Sequence, residues 1–503
     1  MKHQILATAA AALALAACAT TLPPAQSPLS RLPQVAEVDA RYQSYNIEMV
    51  EVTGGRFWAP FGGPADERYR MRPPTNLADP RLRALARQLG PAFLRVSGTW
   101  ANSTYLPAEA EVVTAPPTGF NQVLTRDQWR GVVAFAHAVD ARIVTSFPAS
   151  AGARHADGSW NPAQAQRLLD LTRTEGGSIY AAEMFNEPTM PQFGAFPEGY
   201  NAQDFGRDFR IFQSWAREAA PEMLLAGTGG ASEGTILKHG SGFGGPGALS
   251  SDDLLAANPG SLDILAYHHY GTASPRCGEM ALGTPDAALS DEFLALTLAD
   301  YAHYAGLRDR YEPGKPLWLN ETAQAACGGA PWASTFRDSF RYLHQLGALA
   351  QHGVQMVAHN TLAASDYGLI DQDSLAPRPN YWAAVLWRRT MGTRVLAAPA
   401  SPSPQVRLFA HCLPIGGGGV GLLAINTGET AHPIPATAAS RRWVLTGEPL
   451  DTREVKVNGV VPALTAQGDL SGLEGIAVSG SLTLPAQSIA FLAAPDAANP
   501  ACY

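Results

Sequence analysis

Along residues 45–390, short apolar runs alternate with longer stretches in which apolar residues recur every three or four positions. The short runs cover residues 44–49, 92–97, 142–147, 179–185, 223–228, 262–268, 317–320 and 354–359. Runs of that length bounded by turn residues read as buried strands, and the 3-to-4 spacing between them reads as amphipathic helix. The helices carry start signals. Thr125-Arg126-Asp127-Gln128 fits a capping box, and Asn161-Pro162 fits an N-cap followed by proline. Leu294, Leu298, Tyr301, Ala302 and Ala305 line up along one predicted helix face. Eight strand–helix beats predict a (β/α)8 TIM barrel over residues 44–390, in preference to an open doubly wound sheet. Beyond Gly392 the pattern changes to short β-prone segments at 406–410, 420–425, 443–445, 454–457 and 489–492, separated by Gly, Pro, Asn and Ser. This predicts a β-sandwich over residues 391–503, to which residues 34–43 lend a strand. Residues 416–421 match G-x-G-x-x-G, but they lead into a strand and not a helix, so they read as a turn.

Composition narrows the class. Of 503 residues only 16% are charged, while 48 are Gly and 39 Pro, as in a loop-rich globular protein. A net charge of -8 argues against a nucleic-acid partner. At the start, Met1-Lys2-His3 precedes an apolar stretch that closes on Leu15-Ala16-Ala17-Cys18, which resembles a bacterial lipobox. Residues 1–18 are therefore expected to be a lipoprotein signal peptide with Cys18 acylated, and residues 19–33 a tether. The chain would then be an exported, membrane-anchored monomer on the periplasmic or cell-surface face. Four further cysteines remain: Cys277, Cys327, Cys412 and Cys502. An even number in an exported chain permits two disulfides, but the sequence alone does not settle the pairing. No Cys-x-x-Cys is present, so no zinc ribbon is expected.

The chemistry gathers at two predicted strand ends. Strand four closes on Met184-Phe185-Asn186-Glu187-Pro188 and strand seven on Trp318-Leu319-Asn320-Glu321-Thr322. In a barrel, function collects at the C-terminal ends of the strands. Two carboxylates there can face one substrate from opposite sides, as a glycosidase requires: one protonates the leaving oxygen and the other meets the oxocarbenium carbon. Glu183 reads as a structural carboxylate of the barrel interior. His268-His269 read as hydrogen-bonded barrel-end histidines, since no third residue has the spacing of a zinc site. No cofactor and no metal are expected. Trp58, Trp100, Trp160 and Trp332 fall near predicted loops, where each could stack on a sugar or simply pack.

Asn186-Glu187-Pro188 with Glu321 resembles the clan A retaining glycosidases. More narrowly, Leu94-Arg95-Val96-Ser97-Gly98-Thr99, Tyr267-His268-His269-Tyr270, the run LWLNETAQAACGGAP at 317–331 and the stretch ending LIDQDSLAPRPNYW at 382 resemble the heparanase family, glycoside hydrolase family 79. The resemblance implies a retaining β-glucuronidase, with Glu187 as general acid/base, Glu321 as nucleophile and Asn186 on the sugar 2-hydroxyl. It implies that Tyr270 orients the nucleophile, and that the amides of Cys327, Gly328 and Gly329 grip the uronate carboxylate together with Tyr367. Glu48 and Thr99 match polar residues lining the sugar pocket, and Asn360 matches a position that the family usually fills with Gln. Cys327 stands where the animal enzyme has Gly, and cysteine keeps the backbone donor.

The barrel reading brings the loops after strands six and seven side by side, so the disulfides are expected to be Cys277–Cys327 and Cys412–Cys502. The substrate is expected to be a uronic-acid-containing glycan of heparan-sulfate type. Lys238, His239, Arg154, His155 and Arg276 could form a basic rim for internal cleavage. Against that, the Pro/Gly-rich insert at 59–79 could wall off one end of the cleft and enforce exo cleavage of short glucuronides. A clan A glycosidase for a neutral sugar and a non-catalytic surface glycan-binding protein are the remaining alternatives.

Overall fold

The computed structural model describes residues 27–62, 67–237, 245–278, 281–478 and 480–503. Cys18, the leader and most of the tether lie outside the described residues, as do Lys238 and His239.

Eight parallel strands close into a barrel: β1 (Gln43–Glu48), β2 (Ala92–Ser97), β3 (Ala141–Ser146), β4 (Ile179–Glu183), β5 (Leu224–Ala231), β6 (Ile264–Tyr270), β7 (Leu317–Ala323) and β8 (Met356–His359). Consecutive strands are neighbours, and β8 returns to β1 through Val357↔Gln43 and His359↔Tyr45. Each run is almost wholly buried because one side packs on helices and the other fills the barrel. Inside, Phe93, Val144, Ala181, Ala226, Ile264, Ala266, Trp318, Met356 and Ala358 form an apolar plug of large residues set against alanines. Side chains alternate with period two. Two residues beyond Phe93, the same face of β2 therefore presents Arg95 to the C-terminal end of the barrel.

Three details depart from the sequence reading. Strand β4 stops at Glu183, and residues 184–186 bend away before Glu187. Strand β7 runs on to Ala323, so Glu321 sits on the strand, at a register shift where His268 pairs with Glu321. The helix Asp291–Tyr311 buries Phe293, Leu294, Thr297, Asp300, Tyr304 and Leu307, whereas Ala302 is exposed. Leu298, Tyr301 and Ala305 of the predicted face do pack against the core, but the face also takes in two polar residues, because Asp300 and Thr297 are buried partners of His269, with Asp300 Oδ2 2.5 Å from its Nδ1. The capping box at Thr125 and Gln128 forms as expected, with both reciprocal hydrogen bonds made. Asn161 caps the backbone N–H of Ala163.

The C-terminal part is an antiparallel sheet: β9 (Arg394–Leu396), β10 (Val406–Cys412), β11 (Val420–Asn426), β12 (Ser440–Thr446) and β13 (Ser488–Ala494) are its main strands. A leading strand, Gln34–Glu37, pairs with β9 at one edge. Alternate residues serve two cores. Phe409, Leu423, Ile425, Leu445, Ile489 and Phe491 face the barrel helices, while Leu408, Leu422, Ala424, Ala490 and Leu492 face a small second sheet that holds Ile434, Leu482 and Leu484. Gly347, on the helix Phe336–Gln351, permits the first of these contacts. A Cβ there would lie 2.4 Å from the Phe409 ring. Cys412–Cys502 and Cys277–Cys327 are both disulfides, with Cα atoms 5.2 and 6.4 Å apart.

Candidate active site

Arg95 organises the C-terminal end of the barrel. Its guanidinium donates from Nε to Glu183 (2.8 Å), from Nη1 to Glu321 (2.7 Å) and from Nη2 to Asn186 Oδ1 (2.9 Å). All five donors of the fork are fixed in one plane, so one buried side chain can hold three segments in register. Glu183 is held at about 2: burial would raise it, but Arg95 and His268 outweigh that. It is a structural anion of the barrel interior, matching the sequence reading.

Glu321 is buried. Desolvation alone would favour its neutral form, but His268, Arg95 and the Tyr270 hydroxyl (2.7 Å) hold it below the ordinary carboxylate range. Glu187 lies across from it, one-sixth exposed, with His268 Nδ1 3.0 Å from its Oε1. Its backbone adopts φ 47°, a left-handed conformation that is strained for a residue with a Cβ. The strain is held by Asn102, whose side chain donates to the Asn186 carbonyl (2.9 Å) and accepts the Asn186 N–H (3.0 Å). Single ligand atoms of Glu187, His268 and Glu321 all lie within 4.8 Å of one another. That separation suits paired carboxylates at about 5–5.5 Å, and not the roughly 6.5–9.5 Å that makes room for an inverting water.

The same trio could in principle hold a cation, a possibility that sequence spacing did not reveal. Two features oppose it. Arg95 already supplies a fixed positive charge at Glu321. Burial would push His268 down, but Glu321, Glu183 and Glu187 lift it to about 9, and a protonated imidazole cannot ligate.

The remaining residues singled out in the sequence are distributed as follows. Asn360 donates from Nδ2 to Glu48 Oε1 (3.0 Å) and lies within 3.3 Å of the Tyr270 and Tyr367 hydroxyls, so these four join the carboxylates in one network. Burial and the charge of Glu321 raise Glu48 well above the ordinary carboxylate range, and its Oε2 has no partner among the described residues. Gly98 makes room for it: a Cβ there would fall 1.5 Å from Glu48 Oε2. Thr99 opens the turn after β2, half-buried, and makes no hydrogen bond to this network among the described residues. Cys327, Gly328 and Gly329 all have positive φ (61°, 83° and 86°), and Gly329 packs against Tyr367. The non-glycine residue at 327 therefore keeps the left-handed turn, tied to Cys277 through its sulfur. His359, which burial keeps at about 4 and neutral, donates from Nε2 to the Tyr367 carbonyl (2.7 Å).

Two expected rim cations are not on the rim. Arg154 pairs with buried Asp208 at 2.6 Å, and Arg276 pairs with buried Asp366 at 2.6 Å. Both are consumed by buried acids that nothing in the local sequence marks as partners. Trp160 and Trp332 are core residues; Trp58 stacks on Tyr69, and Trp100 packs edge-on against Phe57.

Among curated proteins, the chain is 26% identical to mouse heparanase over 85% of this chain and 88% of that protein. It is 27% identical to heparanase-like protein 1 of Arabidopsis thaliana, over 54% of this chain and 47% of that protein. Identity to baicalin-beta-D-glucuronidase of Scutellaria baicalensis is 30%, over 41% of this chain and 42% of that protein. The chain is thus similar to heparanases and heparanase-like proteins over much of its length. No protein-family model matches it. Solved structures agree on the fold. An alpha-L-arabinofuranosidase from Thermotoga maritima superposes with a TM-score of 0.62 at 15% identity, covering 92% of this chain and 98% of its own. A 4-O-alpha-L-rhamnosyl-beta-D-glucuronidase from Fusarium oxysporum superposes with a TM-score of 0.59 at 14% identity, covering 92% and 99%.

In the sequence Arg95 stands out only as part of a motif, and nothing marks Asn102 as a support of the site. The available signal was a charged residue in an otherwise apolar strand: an arginine two positions past an inward-facing Phe has to find buried anions.

Proposed function

We propose that this heparanase-like glycosidase hydrolyses β-glucuronosyl linkages with retention of configuration, with Glu321 as nucleophile and Glu187 as general acid/base. The observation that carries the reading is the paired carboxylates within 4.8 Å, one of them held ionised by Arg95, Tyr270 and His268. Glu321 attacks the anomeric carbon while Glu187 protonates the leaving oxygen. Glu187 then takes a proton from the water that releases the sugar. Tyr270 aims Glu321, and Asn186, oriented by Arg95, is placed for the sugar 2-hydroxyl. A neutral sugar needs no anion cradle, so the positive-φ turn at 327–329 packed against Tyr367 supports a uronic acid over that rival. A binding protein has no use for a strained Glu187, which argues against the non-catalytic alternative.

For the polymer, our reading stays with heparan-sulfate-like glycans, but one observation favours a second: terminal cleavage of short glucuronides. The hairpin formed by Gly55–Trp58 and Tyr69–Arg72 packs Trp58 against Gly328, and Phe61 donates its N–H to Asp366 (3.1 Å). The insert thus lies against the turn that would hold the uronate, and Arg154 and Arg276 are not free for sulfates. Parallel incubation with p-nitrophenyl β-glucuronide, p-nitrophenyl β-glucoside and heparan sulfate tests the proposal. Glucuronide turnover with the β-anomer first in NMR is expected. The α-anomer first, or equal turnover of glucoside, overturns it. Shortening of heparan sulfate to mid-size fragments selects internal cleavage, and release from the aryl glycoside alone selects the terminal mode. We also propose that Cys18 carries a lipid anchor; Cys18→Ser should then move the protein from the membrane to the soluble fraction, and an unchanged distribution refutes the anchor.

A further inference from the structure

We infer that Arg276, backed by Asp366, is a positioning residue for substrate specificity, holding the 327–329 turn so that its free amides face the sugar pocket. The inference rests on the reading that this turn receives the uronate. Arg276 donates from Nη1 to the carbonyls of Cys327 (3.3 Å) and Gly329 (2.8 Å), and its side chain is only 6% exposed. In a planar trans peptide the C=O and the following N–H point in opposite directions. Drawing the Cys327 carbonyl toward Arg276 therefore turns the Gly328 N–H away from it. The Gly328 carbonyl is drawn in the same way by Ser365 Oγ (2.9 Å) and the Asp366 N–H (3.3 Å), which turns the Gly329 N–H away from Ser365. Among the described residues neither N–H has an acceptor in the protein. Successive amides left free in a positive-φ turn make an anion-binding concavity, and the guanidinium behind it, its charge balanced by Asp366, fixes the carbonyl side of the turn.

Asp366 joins three segments at this point. One oxygen takes Arg276 Nη2 (2.6 Å) and the Phe61 N–H from the hairpin. The other takes Arg453 Nη2 (3.2 Å) from the C-terminal sheet domain. The specificity turn is thereby braced from the far domain as well as from the barrel.

The test compares kcat/KM for p-nitrophenyl β-glucuronide and β-glucoside in the wild type, Arg276→Met, Arg276→Lys, Arg453→Ala and Tyr367→Phe. Arg276→Met should lower the glucuronide value about ten-fold or more, as loss of a charge-supported hydrogen-bond set implies, chiefly through KM. The glucoside value should change much less. Arg276→Lys should fall between, since it keeps the charge without the fork. Arg453→Ala, at a half-exposed side chain, should shift the same ratio slightly in the same direction. A wild type with no glucuronide preference overturns the uronate reading itself. A glucuronide-to-glucoside ratio lowered by Tyr367→Phe but unchanged by Arg276→Met overturns the role of Arg276 alone. If Arg276→Met does not fold, an unchanged ratio in Arg276→Lys decides against it equally.

Discussion

Glu187 and Glu321 differ in what surrounds them, and that difference sets how each substitution should act. Glu321 is buried beside two cations and a hydroxyl, whereas Glu187 is partly open and held by His268. Glu321→Gln should nearly abolish turnover of every substrate. Glu187→Gln should cost about 10²–10⁴-fold on natural linkages and distinctly less on aryl glycosides whose leaving group needs no proton. Equal losses on both substrate types would reverse the assignment. His268 makes a separate prediction about stability. Its ordinary value is 6.5, and in the fold Glu321, Glu183 and Glu187 overcome burial to lift it to about 9. A raised pKa stabilises the fold fully below about pH 6.5, and that stabilisation is lost as pH rises through about 9. The penalty of His268→Gln in denaturant unfolding should thus be largest at pH 6, by an amount on the order of 3 kcal/mol, and shrink by pH 9.5. A penalty constant over that range would mean that His268 is neutral in the fold. Glu187 and Glu321 were legible in the sequence because glutamate at a barrel strand end is a local pattern. Arg95 was not, because its importance lies in three partners from other segments, Glu183, Asn186 and Glu321.

At the scale of elements, the loops after β6 and β7 are tied by Cys277–Cys327, 50 residues apart in sequence. In the chain-entropy model such a closure is worth about 4 kcal/mol. Its position also serves the site, since Cys327 is the first residue of the positive-φ turn and Arg276 adjoins Cys277. The pair Cys277→Ser with Cys327→Gly leaves Cys412–Cys502 intact and supplies a residue suited to φ 61°. This variant should fold, with a lower Tm, and lose glucuronide kcat/KM beyond its loss of stability. Undiminished activity in folded protein would make the bridge purely structural. The strand positions were readable to within two or three residues because buried strands are continuous apolar runs. The ends of β4 and β7 were not, since a bend at 184–186 and a register shift at Glu321 are set by cross-strand partners.

For the whole molecule, the C-terminal sheet is joined to the barrel by a continuous core. Phe409, Leu423 and Phe491 lie side by side on neighbouring strands and face the barrel helices. At Gly347 the helix backbone comes close to the sheet. Gly347→Ala puts a methyl group 2.4 Å from the Phe409 ring, and overpacking of this kind costs about 1–3 kcal/mol. A drop in Tm is expected, with partial recovery on adding Phe409→Leu. An unchanged Tm, given alanine's better helix propensity, would show that the two domains can move apart without cost. The same junction carries Arg453 to Asp366, so the sheet domain reaches the specificity turn as well as covering the barrel.

By itself the sequence determined the barrel, the β-rich C-terminal domain and the two strand-end carboxylates, because each follows from local periodicity or from a local motif. Only the tertiary structure decided which charges are spent internally. Arg154 and Arg276 read as free cations until Asp208 and Asp366 are found against them. Asp300 is buried against His269, a pairing the helix's own pattern does not mark. Buried ions are stable only when paired, and their partners here come from segments 31 to 90 residues away, a distance over which hydropathy and spacing carry no information.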